Sequence, residues 1–165
     1  MRAALLAAAA LLVAGAASAQ ERQWGLLVER GEAMLTFATP DAEDDLITLE
    51  CVQGEDFLRL SLWADTTHGV DQTEDGTWRN KTGVLEPWSG YAAVRSGAAR
   101  EAVEVDAYQH SSAHGSDVRA RIPLDAPIWA AFQSSGQLRV EVYDEVIAPD
   151  PVPPQLLKRF FAACG

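Results

Sequence analysis

The sequence predicts a mainly β domain: an antiparallel β-sandwich or barrel with one short helix and a C-terminal helix tied to the sheet by a disulfide. Three observations predict it. Short runs alternate apolar and polar residues with the period of two that a half-buried strand needs. Glycine and aspartate punctuate those runs at hairpin spacing. The two cysteines stand far apart, Cys51 in an alternating run and Cys164 at the end of a helical pattern.

Taken in order, "WGLLVER" (24–30) and "AMLTFAT" (33–39) meet at a tight turn around Gly31-Glu32. "LITLECVQ" (46–53) and "FLRLSLWA" (57–64) are joined through Gly54-Glu55-Asp56, a hairpin signal. In the latter run Leu58, Leu60 and Leu62 share the core face, and Phe57, Arg59, Ser61 and Trp63 face the other way. The stretch 65–90 breaks the rhythm: it is polar, carries Gly and Pro, and predicts only one weak strand, around Gly83 to Leu85. A loop of that length in a compact domain points to function.

Alternation returns in "YAAVRS" (91–96), "REAVEVDAYQ" (100–109) and "DVRARIPL" (117–124). The last two read as a hairpin, with Val103, Val105 and Ala107 facing the core beside Val118, Ala120 and Ile122. With Val105 opposite Ala120, Glu104 meets Arg121 and Asp106 meets Arg119 on the outer face. Such pairs contribute a few tenths of a kcal/mol each and help fix the register. Asp125 is the expected N-cap of the short helix "APIWAAFQSS", with proline in its first turn and Gly136 ending it. "QLRVEVYD" (137–144) is a further strand, and "APDPVPP" (148–154) is a stiff connector. In "PQLLKRFFAACG", Leu156, Phe160 and Cys164 recur every four residues, with Leu157 and Phe161 beside them.

Both cysteines therefore point where their apolar neighbours point, and an even pair without C-x-x-C reads as one structural disulfide, Cys51–Cys164. On the chain-entropy model a bridge closing so long a loop contributes about 4–5 kcal/mol.

The chain begins MRAALLAAAALLVAGAASAQ, with Arg2 as a positive n-region, an apolar run from Ala3 to Ala14, and Ala17-Ser18-Ala19 before Gln20. This pattern predicts a signal peptide over 1–19, leaving a single β-rich domain over 20–165 that is periplasmic or secreted. The apolar run is too short for a spanning helix, so no membrane insertion is expected after cleavage. With Arg2 gone, 12 basic residues face 24 acidic ones, a net charge of −12. A surface this acidic argues against nucleic acid and suits a basic protein or peptide as partner.

The leader, Trp24 in the first strand, "TPDAEDD" before "LITLEC", "DAPIWAAF" feeding "GQLRVEV", and the closing "LLKRFFAAC" together resemble small exported proteobacterial proteins of unassigned function. The resemblance implies a fold and brings no catalytic residues with it.

Two constellations bear on metals. "YQHSSAHG" (108–115) carries His110 and His114 four residues apart, with Asp117 following and His68 in the long loop as a third imidazole. Zinc needs three or four such ligands. "DQTEDGTWRNKT" (71–82) imitates a calcium loop at Asp71, Thr73, Asp75 and Gly76, but places Thr82 where a bidentate glutamate belongs. There is no G-x-S-x-G, phosphate loop or dinucleotide fingerprint, so no enzyme activity and no cofactor are expected. Trp63, Trp78, Glu86, Trp88 and Tyr91 remain as an aromatic and acidic surface of the kind that dominates interface hot spots. The expectation is a monomeric, exported, non-catalytic binding or accessory protein that takes a cationic partner, such as a basic enzyme, through the 65–90 loop. The alternative is a periplasmic metal-binding protein using His110 and His114.

Overall fold

A computed structural model describes residues 21–40, 45–109 and 114–165. Eleven strands and two helices are present among them: β1 (Gln23–Glu29), β2 (Glu32–Ala38), β3 (Ile47–Val52), β4 (Phe57–Ala64), β5 (Gly69–Gln72), β6 (Trp78–Asn80), β7 (Trp88–Ser96), β8 (Ala99–Gln109), β9 (Ser116–Pro123), α1 (Pro127–Ser135), β10 (Arg139–Val142), β11 (Glu145–Ile147) and α2 (Pro154–Cys164). Nine strands form one antiparallel sheet in the order β1-β2-β3-β4-β9-β8-β7-β10-β11, curled into a half-barrel. The mainly β prediction holds, with one curled sheet in place of a two-sheet sandwich.

Alternation decides which face is core. In β3 and β4 every second residue is buried, so Ile47, Leu49, Cys51, Leu58, Leu60 and Leu62 line one side. In β8 and β9, Val103, Val105, Ala107, Val118, Ala120 and Ile122 continue it, and Val105 pairs with Ala120 as the sequence predicts. The two helices cover this face, α1 against β7 and β8 and α2 against β1 and β2. Trp129, Phe132 and Phe160 are their largest fully buried side chains. The Trp129 indole stays satisfied by donating to the Pro123 carbonyl at 2.9 Å. Trp24 stacks near Phe37, ring centroids 5.2 Å apart, and donates to the Asp150 carbonyl, which holds the Pro-rich connector against the first strand.

The Cys51–Cys164 disulfide joins β3 to the end of α2, with Cα atoms 5.5 Å apart across 113 positions of chain. Leu157, Phe160 and Cys164 form the buried stripe of α2, so covalent and apolar attachments lie on the same side.

Four details differ from the sequence reading. The first turn falls on Arg30-Gly31, both with positive φ, one residue earlier than predicted; a two-residue hairpin loop of type I′ has that conformation at both positions. The N-cap of α1 is Ala126, not Asp125; Pro127 opens the helix and no side chain caps it. The weak strand predicted around Gly83 to Leu85 is not a strand: Leu85 makes a single bridge to Arg79, and the 65–90 stretch instead holds the β5–β6 hairpin. A third addition is β11, a short edge strand paired to β10 across a turn at Tyr143-Asp144.

Candidate functional site

The face of the sheet turned away from the helices is polar. The register places Thr36, Thr48, Ser61, Arg119, Asp106 and Ser89 in one row across β2, β3, β4, β9, β8 and β7. Along this face runs a groove of about 800 Å³ bounded by β4, β9, β8 and β7.

The groove is divided by charge. Its β4–β9 side carries Arg59, Arg119 and Arg121. Arg59 donates to Glu50 Oε1 at 2.5 Å and to both oxygens of Glu55, at 2.6 and 2.9 Å. Arg59 and Arg121 are direct cross-strand partners, and both guanidinium groups lie over the Phe57 ring, at 5.6 and 5.2 Å. Arg119 lies over the Tyr108 ring at 4.8 Å, and its nearest carboxylate, Asp117, is 3.9 Å away. The register that the sequence predicts for Asp106 and Arg119 is present, but the charges are distributed differently: the guanidinium takes an aromatic face, and Asp106 accepts from Ser89 Oγ at 3.0 Å.

The β7–β8 side carries Tyr91, Glu104 and Asp106. Tyr91 is 71% exposed and its hydroxyl donates to Glu104 Oε1 at 3.4 Å. Both carboxylates are exposed and neither has a cationic partner among the described residues. Tyr143 stands next to this side, its ring close to where a Gly90 side chain would begin. Burial, helped by the Asp106 charge, pushes the Tyr143 hydroxyl above its ordinary pKa.

The 65–90 stretch borders the groove and is held by side chains whose roles local pattern does not reveal. Glu86 accepts from the Trp78 amide at 3.1 Å through one oxygen and from the Gln109 amide at 2.8 Å through the other, fastening β6 to the end of β8. Gln109, itself buried, accepts from the Gly69 amide and donates to the Gly115 carbonyl. Gly69 is required here: a Cβ would come within 2.8 Å of the Trp78 ring. Glu145 receives the Asp65 and Thr66 amides and the Thr66 hydroxyl. Burial raises the Glu145 pKa, but these three donors outweigh it and hold the carboxyl below its usual range.

Of the predicted aromatic surface, Trp88 is buried and donates to the Val84 carbonyl, Trp78 packs on Gly69, and the Trp63 ring lies against Gly115. Glu86 is the clamp just described. Tyr91 alone of these five residues stands out into solvent.

The metal candidates are spread out. His110 lies outside the described residues. His114 is exposed, and Asp117 faces Trp63 and Tyr108 across the neighbouring strands. The His68 ring sits 4.5 Å from Tyr143 and 5.4 Å from Trp88, with burial lowering its pKa. No group of three or more His, Cys, Asp or Glu side chains is arranged to hold a metal ion among the described residues. The calcium-like stretch forms a turn, in which Asp75 accepts from the Thr73 hydroxyl and the Thr77 amide while Asp71 lies 3.6 Å from Arg79.

Fold and groove define the class: a disulfide-closed half-barrel with a charge-divided polar face. Comparison with protein-family models, with curated proteins and with solved structures returns no match. Among the described residues no helix is long and apolar enough to cross a membrane.

Proposed function

We propose that the protein is an exported, non-catalytic binding or accessory protein whose partner is a cationic protein or peptide, received on the β7–β8 side of the groove. The observation that carries this reading is the pair of carboxylates, Glu104 and Asp106, exposed beside Tyr91 and, among the described residues, with only hydroxyl partners of their own. A lysine or arginine side chain laid there meets two negative charges and an aromatic face, and both attract it. The net charge of −12 left once the leader is removed steers such a partner inward at low salt. The 65–90 stretch serves as the supporting wall: Glu86, Gln109 and Glu145 fix its position, and Trp88 and His68 pack behind Tyr143. The disulfide fits an oxidising compartment.

The test is calorimetric titration with a capped lysine-rich peptide. Binding is expected to weaken as salt is added. Tyr91→Ala and the pair Glu104→Gln, Asp106→Asn are each expected to weaken it about tenfold, the scale of a hot-spot residue. Equal affinity of wild type and both variants would sink the reading.

A further inference from the structure

The two edges of the sheet are not alike. β11 is three residues long, and so short an edge offers little for another strand to pair with. β1 is seven residues long and contains neither lysine nor proline, the residues that commonly blunt an edge. Its outer side is open: β2 is its one strand neighbour, and no other backbone hydrogen bond reaches Gln23–Glu29 among the described residues. The two-residue turn makes Glu29–Glu32 the closing pair of the hairpin, so Gln23, Gly25 and Leu27 bond to β2. Gly31 accepts from the Gln53 amide, which agrees, because it directs the odd-numbered positions that follow toward β3. Trp24, Leu26 and Val28 therefore hold their N–H and C=O groups outward.

The side chains of this edge are not accounted for by the chain's own packing. Leu27 is 54% exposed on the outer face beside Met34, its cross-strand partner, and Val28 is 45% exposed on the helix side. Gly25 has no positive φ, and a Cβ added there would find its nearest neighbour, the Thr36 carbonyl oxygen, 4.0 Å away. Glycine weakens a strand interior, and where the fold does not demand it, it often marks the close approach of another backbone.

We propose that β1 is the contact of a symmetric dimer, in place of the monomer expected from the sequence: the β1 strands of two copies pair antiparallel about Leu26 and join the two sheets. A two-fold axis there lets Trp24, Leu26 and Val28 all bond to the same three residues of the second copy. In that register Val28 faces the second copy's Trp24, an aromatic–β-branched pair of the kind that stabilises sheets. Leu27 lies opposite the second copy's Gly25, a position with no side chain of its own. Gln23 meets the second copy's Glu29, and no like charges are opposed within the strands. Arg30 does not meet Arg22, because at φ 47° it has left the ladder for the turn. A second copy is the occupant because this strand complements itself, exposed apolar residue against aromatic ring and glycine. The groove lies beyond β2 and β3, so the dimer does not rest on it. Salt also acts on the two in opposite directions: it screens the repulsion between two acidic copies and strengthens their pairing.

Sedimentation equilibrium of the purified protein tests the state, and amide exchange tests the register. A reversible monomer–dimer equilibrium is expected, tightening as salt is added. Leu27→Lys and Val28→Lys are each expected to weaken it about tenfold, an edge lysine being a common guard against such pairing. Gly25→Val is expected to weaken it as much without lowering the melting temperature of the monomer, because its side chain has room within one chain. As concentration rises, exchange at the Trp24, Leu26 and Val28 amides should slow, while the Gly25 and Leu27 amides, already bonded to β2, should not change. A monomer at every concentration up to millimolar, which would leave this edge to a strand from another protein, overturns the proposal. So does a dimer that these substitutions leave intact, or one that protects no β1 amide, because its contact then lies elsewhere on the surface.

Discussion

The C-terminal helix and the 65–90 stretch both lie outside the long alternating strands, and each is fastened to the sheet by opposite means. The helix is held by an apolar stripe and one covalent bond, Leu157, Phe160 and Cys164 all on its buried side. The 65–90 stretch is held by polar side chains bridging backbone groups: Glu86 between Trp78 and Gln109, Gln109 between Gly69 and Gly115, Glu145 under Asp65 and Thr66. Apolar attachment is non-directional and scales with area. Polar attachment depends on each donor meeting its acceptor, and a missing partner leaves a desolvated group behind. The first kind makes a scaffold cooperative; the second holds a segment locally.

Removing each attachment sharpens that contrast. Replacing Cys51 and Cys164 together by serine is expected to cost about 4–5 kcal/mol of global stability on the chain-entropy model, measured by denaturant unfolding. Phe160→Ala is expected to cost about 3–5 kcal/mol in the same assay, because the ring is fully buried and its loss leaves a cavity. Glu86→Ala is expected to cost about 1–3 kcal/mol, but locally. Amide exchange at Trp78 and Gln109 should quicken while α2 amides keep their protection. Equal acceleration in both places would mean that the two attachments belong to one cooperative unit.

The smallest effect concerns pH. Burial lowers the His68 pKa, so His68 is neutral in both folded and unfolded chains at high pH and contributes no pH dependence there. As pH falls through the ordinary histidine value the unfolded chain takes up the proton first, and stability declines until the folded pKa is passed. His68→Phe should flatten the stability profile between about pH 7 and 5. A profile unchanged by the substitution would show that carboxylates dominate that window.

The same contrast explains what could be read from the sequence. Eight strands announce themselves by alternation, and the disulfide by two cysteines on apolar faces. The β5–β6 hairpin does not, because its strands are short and largely exposed and one of its contacts depends on Gly69 having no side chain. β11 is a three-residue edge strand with too little pattern to see. The β8–β9 pairing was legible, so Glu104, Asp106, Arg119 and Arg121 were placed on one face, where each charge had a neighbour to account for it. The groove was not legible, because it also needs β4 beside β9 and β7 beside β8. The first of these pairings spans a long stretch of chain that no local pattern foretells. Glu86 drew notice for its proline and tryptophan neighbours, but its role as a clamp depends on the distant Gln109.

The disulfide also makes a closed ring of everything from the third strand to the last helix. A protease that cuts once anywhere inside that ring, including the exposed tips of the 65–90 stretch, opens the loop without dividing the molecule. The two pieces remain one covalent body, running as a single species on a non-reducing gel and separating only when the bridge is reduced. A nick there leaves the two pieces joined through Cys51 and Cys164.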